Sequence, residues 1–344
     1  MVKASKGMVG RQAMKSFKAR RLRWKKRFSS PVYLISIFLI VIILIIGLAF
    51  YQAEEKRVKG VVFNQLSTIA RLQADEIKAW LDKSRADAEE TAGSKFFAAA
   101  VLHFLQQPTD KYREEVEERL KLTAQVYGYS RLMILDREKR PLLAVGEEAP
   151  EGTPASFSTE LKEALAQTEK SGEVSITDLH FPRPGSRPHL DIVAAIYAPQ
   201  DTGKLEKDQI RPESYLILTA EAQNSLFPLI ESWPITSKTG ETLLVKKEGE
   251  EIVFLSELKD RKGTALTYRQ PLDQQKLAAV RRALDRPGPF ESLDYRGQKV
   301  IAFLSPVPGT SWYIVSKIDR QEALSIWQTR AALIILLLLA VTVA

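Results

Sequence analysis

Residues 32–51 read VYLISIFLIVIILIIGLAFY, an unbroken apolar run without a charge. As a helix, these residues rise about 30 Å, the thickness of a bilayer's hydrocarbon core. Ahead of them stand Lys3, Lys6, Arg11, Lys15, Lys18, Arg20, Arg21, Arg23, Lys25, Lys26 and Arg27, with no acidic residue among them. Positive flanks stay cytoplasmic, so the pattern predicts an inside N-terminus in the inner (cytoplasmic) membrane, with residues 52–328 periplasmic or extracellular. A secretory signal would carry a shorter apolar core and a small-x-small cleavage site. Ala49-Phe50-Tyr51 supplies no such site, and an uncleaved anchor is expected. A second apolar run, AALIILLLLAVTVA, fills 331–344. It is shorter than the ~20 residues of a span and is read as the start of a second transmembrane helix in a longer protein.

The chain holds 50 basic and 42 acidic residues, a net charge of +8. Setting aside the eleven in the tail leaves 39 against 42, or −3. The basicity is therefore a topology signal with some attraction for anionic lipid heads, and nucleic acid is excluded as a partner. Cysteine is absent, which removes disulfides, thiol chemistry, iron–sulfur clusters and cysteine zinc sites. No GxxxxGK[ST], HExxH or GxSxG occurs, nor a phosphoacceptor H-E box or a GG[DE]EF motif. The chain is read as non-enzymatic, with no cofactor.

From Gln52 to Gln107, apolar residues recur at Val58, Val62, Leu66, Ile69, Leu72, Ile77, Trp80, Leu81 and Ala88, the pattern of a long helix or helix pair. A further helix is expected over 110–127. The period then shortens: RLMILD (131–136) and PLLAVG (141–146) flank a turn. A helix at 158–167 and strands at 173–180, 189–198 and 215–222 follow. After a helical connector at 227–233 come a hairpin (242–247, 252–255), a strand at 264–269, a helix at 274–284, and strands at 290–295, 299–304 and 311–318. The fold class expected is α+β: a long N-terminal helix carrying two antiparallel-sheet modules in series, flanked by transmembrane helices. The divisions are a basic tail (1–30), a membrane helix (31–51), a stalk (52–109), a distal module (110–226), a proximal module (227–328) and the opening of a second span (329–344).

QADEIKAWLDKSRADAEETA (73–92), RLMILDREKRPLLAVGE (131–147) and SPVPGTSWYIVSKIDRQEA (305–323), in that order between two apolar runs, resemble the double Cache (PAS-like) sensor domains of bacterial transmembrane receptors. WPITSKTGETLLVKKEGEEIVFLSEL (233–258) looks like the membrane-proximal module of sensor histidine kinases of this type. The resemblance implies a distal module that binds a small molecule, and a kinase output in a two-component system. A diguanylate cyclase, a chemoreceptor or an anchored binding protein without output are the alternatives. It also implies that the strand after Tyr127 and Tyr129 lines the pocket together with the third and fourth strands. The amino-acid-binding variety carries an arginine followed four residues on by Trp-Tyr. That arrangement is absent here, leaving another small anion or amine open.

If 173–180 and 189–198 pair with positions summing to 369, His180 faces His189 and Asp178 faces Asp191, all on one face. Opposed carboxylates repel, and Arg183, Arg187, a metal or an amine-bearing ligand would supply the missing positive charge. The alternative is a set of loop-rim residues that a one-residue slip separates. Residues 181–188, with three prolines, suit a stiff lid. Tyr127, Tyr129 and Arg131 suit a carboxylate-bearing metabolite, or else the two tyrosines pack between helix and sheet. The ligand-binding set is thus Tyr127, Tyr129, Arg131, Asp178, His180, His189 and Asp191, with no residue assigned to catalysis or to metal. Trp80, Trp233 and Trp312 are expected in the core or between modules, Trp327 in an interfacial aromatic belt, and His103 packed among apolar neighbours. Glu54 to Arg57, near the membrane, suit a parallel homodimer contact.

Overall fold

The computed structural model describes residues 31–146, 157–183, 185–198, 211–272 and 278–343. The basic tail, Pro184 of the expected lid and the first turn of the helix expected from 274 lie outside them. Two compact units divide the chain: Phe63–Arg320, and the residues up to Val62 with those from Gln321.

Helix α1 (Pro31–Gly93) contains the one segment among the described residues that is long and apolar enough to cross a membrane. In the same unit, the rings of Phe50 and Tyr51 meet Trp327 with centroids 6.1 and 6.0 Å apart. Trp327 lies on the closing helix, Arg320–Val343.

Within Phe63–Arg320, α1 buries one stripe: Leu66, Ile69, Ala70, Gln73, Ala74, Ile77, Leu81, Ser84, Ala88 and Thr91. The three- and four-residue spacing keeps them on one side of a helix. Ser94 ends the run by capping α2 (Lys95–Gln106), whose Phe97 N donates to its hydroxyl. The stalk is therefore a helix pair. His103 is not packed as expected. It is exposed, with its ring against Tyr112 at 5.6 Å, because Phe97 and Val101 occupy the buried face. Helix α3 (Asp110–Tyr127) closes on Gly128, whose φ of 78° is the left-handed cap that glycine allows.

The first sheet runs β2 (Pro141–Gly146), β1 (Arg131–Asp136), β5 (Ser214–Glu221), β4 (His189–Ile196), β3 (Ser175–Ile176), all antiparallel. One face, with Leu132, Ile134, Ile192, Ala194, Leu216 and Leu218, packs on Ala88, Ala92, Val101, Val116 and Leu120 of the helices. The other, with Met133, Leu135, Val193, Tyr215 and Ile217, packs on Leu161, Ala164 and Leu165 of α4 (Thr159–Ser171).

The second sheet orders β8 (Arg269–Pro271), β7 (Glu251–Phe254), β6 (Glu241–Glu248), β11 (Trp312–Asp319), β10 (Lys299–Pro306), β9 (Gly288–Leu293). The strand expected at 264–269 is instead a turn. Tyr268 N bonds Thr264 O and the Thr264 hydroxyl accepts from Leu258 N, which curls the segment, and from that turn Leu266 N and Tyr268 O bond Phe254 of β7. Gln73 of α1 uses both ends of its amide here. Nε2 donates to Ile230 O and Ser232 O, and Oε1 accepts from the Thr242 hydroxyl at 2.8 Å.

Lys317 of β11 is buried, with Nζ 2.7 Å from Glu241 Oε2 and 2.8 Å from Asp294 Oδ2. Removing the ammonium takes the shared cation from two carboxylates in the core, and Lys317→Ala is expected to cost about 3–5 kcal/mol in chemical denaturation. Burial would raise the Asp294 carboxyl, but Lys317 and Arg296 hold it below its ordinary value. A depressed carboxyl stabilises the fold above its unfolded pKa, about 3.9, and loses that contribution as pH falls further. The parent is expected to lose stability on acidification below pH ~4, and Lys317→Ala to show a flatter acid limb. Equal limbs would sink the assignment.

Candidate functional site

The β1–β5 and β5–β4 registers set Arg131 opposite Thr219 and Thr219 opposite Asp191, one row across three strands. Directly opposed residues in antiparallel strands share a face. This row therefore continues the face of Met133, Ile217 and Val193, the row below it, which α4 covers. The next row pairs Glu221 with His189. One face thus passes from apolar core to charged rim within three rows, and the charged end carries the cavity.

Asp191 is at the centre, 1% exposed. Its Oδ1 accepts from the Thr219 hydroxyl at 2.6 Å and lies 4.0 Å from Arg131 Nη2. Its Oδ2 lies 3.5 Å from His180 Nε2 and 3.3 Å from His189 Nε2. Burial alone would push the Asp191 carboxyl up; His189, His180 and Arg131 more than offset this and bring it to about 2. His180 and His189 are bridged through their backbones, N to O at 3.1 and 2.9 Å, and their rings lie edge to face. His180 Nδ1 stands 3.0 Å from the Asp178 carbonyl oxygen. Above Arg131, Thr219, His189 and Glu221 opens a cavity of about 360 Å³, bordered by Pro182, Ser186 and Arg187 of the 181–188 loop. Arg187 Nη1 donates to Glu221 Oε1 at 2.9 Å. A smaller cavity of about 40 Å³ reaches His180, His189 and Asp191 from the side of Phe157.

The structure brings Arg131, His180, His189 and Asp191 together and sends the other expected residues elsewhere. The uniform register does not hold. His180 does pair with His189, but Ser175 pairs with Val193 and Ile176 with Ile192, sums one lower. The extra residue is absorbed between 177 and 180, so Thr177 takes the place opposite Asp191. Thr177 N donates to the Asp191 carbonyl, and the Thr177 hydroxyl accepts from Asp191 N at 2.9 Å. Asp178 is turned out toward the second sheet, where it accepts from Lys246 Nζ at 2.5 Å and Trp312 Nε1 at 2.6 Å. The tyrosines face the helices. Tyr129 donates to Asp87 Oδ2 at 3.0 Å and Tyr127 to Glu90 at 3.4 Å, and burial raises both phenols. Thr219 and Glu221 were missed. Their signal was the alternation Tyr215, Ile217, Thr219, Glu221, which turns polar at the strand end where the histidines lie.

No protein-family model matches this sequence, and no curated protein does. Among solved structures, the ligand-binding domain of the Pseudomonas fluorescens chemoreceptor CtaA, in complex with L-alanine, aligns at TM-score 0.51 and 16% identity. It covers 76% of this chain and 99% of that one. A domain of a sensory box/GGDEF family protein from Vibrio parahaemolyticus aligns at TM-score 0.51 and 13% identity, over 78% of this chain and 98% of that one. What the chain shares with both is the fold, here two antiparallel sheets with a long N-terminal helix.

Tyr129→Phe removes the hydroxyl that donates to the buried Asp87 carboxylate in the helix–sheet seam. It is expected to lower stability in denaturant by about 1–3 kcal/mol. A stability equal to the parent's would show that the hydroxyl is not engaged there.

Proposed function

We propose that this chain is the ligand-sensing, non-catalytic input region of a bacterial transmembrane receptor, and that the first sheet binds a small charged metabolite between Arg131, Glu221, His189 and the 181–188 loop. The carrying observation is the polar rim above an apolar core: a cavity of about 360 Å³ edged by Arg131, His189 and the Arg187–Glu221 ion pair. Small-molecule sites are concave and place a few fixed polar groups in such a frame. Charges of both signs suit a carboxylate, an amine or a molecule carrying both.

On this reading residues 110–226 form the distal sensing module and 227–328 the proximal one, with 52–109 as the stalk and a parallel homodimer formed along it. Residues 233–258 favour a histidine kinase as output. The two structural neighbours come from a chemoreceptor and a GGDEF family protein, and the fold serves either equally. Asp178 supports a route between modules: it lies two residues from His180 and holds Lys246 and Trp312. β11 leads directly into the helix Arg320–Val343.

Two measurements test the reading. A Cys-free chain permits single-cysteine topology mapping. Ser171→Cys, at an exposed position, is expected to react with a membrane-impermeant maleimide on intact cells, whereas Ser16→Cys is not. The reverse pattern overturns the exported topology. A thermal-shift screen of the full chain in detergent against small carboxylates, amines and amino acids is expected to yield a stabilising compound, worth about 2.7 kcal/mol at 100 times its Kd. Arg131→Ala and Glu221→Ala should each erase that shift. A shift retained in both variants removes this cavity as the site.

A further inference from the structure

We infer that His180, His189 and Asp191 form a binding site for one divalent transition-metal ion of the zinc class. The inference does not rest on the small-metabolite reading. The sequence offered a metal only as one of several counter-charges to a facing Asp178–Asp191 pair, and assigned it no ligands. The one-residue shift replaces that pair with two imidazoles and one carboxylate, a donor set suited to zinc and its neighbours.

The distances favour an ion over a proton. Charge-assisted N–H···O bonds run about 2.7–2.9 Å, whereas the two imidazole nitrogens stand 3.3 and 3.5 Å from Asp191 Oδ2. Metal–ligand bonds of about 2.0–2.2 Å at a tetrahedral centre set adjacent donor atoms roughly 3.3–3.6 Å apart. Both contacts are thus long for a hydrogen bond and fit the edges of a metal tetrahedron. Donor atoms of all three residues lie within 4.8 Å of one another. His189 Nε2 is buried and makes no hydrogen bond.

The surrounding groups already hold the donors in ligating form. His180 Nδ1 faces the Asp178 carbonyl at 3.0 Å, which places the proton there and leaves the Nε2 lone pair toward Asp191. The Thr219 hydroxyl occupies Oδ1 of Asp191, leaving Oδ2 for the ion. Arg131 also approaches Oδ1, from 4.0 Å, so its charge is set to the far side of the carboxylate. His189 lines both cavities, and the smaller one, which also touches His180 and Asp191, leaves room beside the donors for a fourth, exchangeable ligand such as water or an anion.

The test uses the tag-free full chain in detergent, stripped with chelator and titrated with Zn²⁺ or Co²⁺ alone. One equivalent of Zn²⁺ is expected to bind, with Co²⁺ giving the intense visible bands of a tetrahedral N/O site and Mg²⁺ giving none. His180→Ala and His189→Asn should each lower affinity by more than the roughly 10–100-fold that follows loss of an outer partner. His103→Ala, the chain's remaining histidine and exposed, should bind like the parent. Circular dichroism checks that the variants fold. If they do not, chelator should lower the parent's unfolding temperature and added zinc restore it. No uptake by the stripped parent, uptake unchanged in both site variants, or a loss confined to His103→Ala overturns the assignment. A chain that takes up zinc but ignores every metabolite leaves this site standing and sinks only the sensing proposal.

Discussion

One helix serves both sheets, and the remaining arrangement follows from how it does so. Between Leu66 and Ala92, α1 offers a single buried stripe with polar residues set into it where a partner waits. Gln73 spends both ends of its amide on the connector and β6, and Asp87 accepts from Tyr129 beside the first sheet. An unsatisfied buried amide or carboxylate costs roughly 1–3 kcal/mol or more, so these contacts fix register along the helix as much as they stabilise it. Since the helices cover one face of the first sheet, only the opposite face remains for function. There α4 is long enough to cover the apolar rows and stops short of the charged ones.

The elements were legible because their periods are clean. RLMILD alternates between two buried faces, and Asp110–Tyr127 repeats at helical spacing up to a glycine. What the sequence concealed was register. A strand pair needs only one absorbed residue to exchange its inward and outward sets. Here Thr177 could take that position because its hydroxyl and amide both bond Asp191. The correct histidine pairing and the incorrect aspartate pairing thus came from a single assumption, valid at one end of the strand alone. Tyr129 misled for a related reason: it sits one residue before Ser130, outside the alternation that begins at Arg131, and its orientation is set by the Asp87 carboxylate on a helix some forty positions earlier. The turn at Thr264 shows the same limit in the second module, where a threonine with strand-like neighbours donates its N–H to the Glu257 carboxylate and accepts at its hydroxyl from the Leu258 backbone N–H.

The second sheet keeps its charge inside. Lys317, Glu241, Asp294 and Arg296 form a buried network with Tyr295, whose hydroxyl donates to Glu241 at 3.0 Å. Such a network contributes little net stability against an apolar replacement, but it admits few alternative arrangements. It pins β11, the strand that continues into Arg320–Val343.

Magnitudes then decide where movement can arise on the sensor reading. A ligand shifts a conformational equilibrium by no more than its differential affinity for the two states, a few kcal/mol in ordinary cases. That is too little to open the Lys317 network, whose rupture takes the shared cation from two carboxylates in the core. It does match the Asp178 contact with Lys246 and Trp312, where the side chains of Asp178 and Lys246 are 29% and 19% exposed and water stands ready to replace the protein partners. Asp178 also supplies the carbonyl that orients His180. On that reading a displacement of His180 reaches, through one residue's backbone, the Asp178 contacts with Lys246 and Trp312 that join the two sheets.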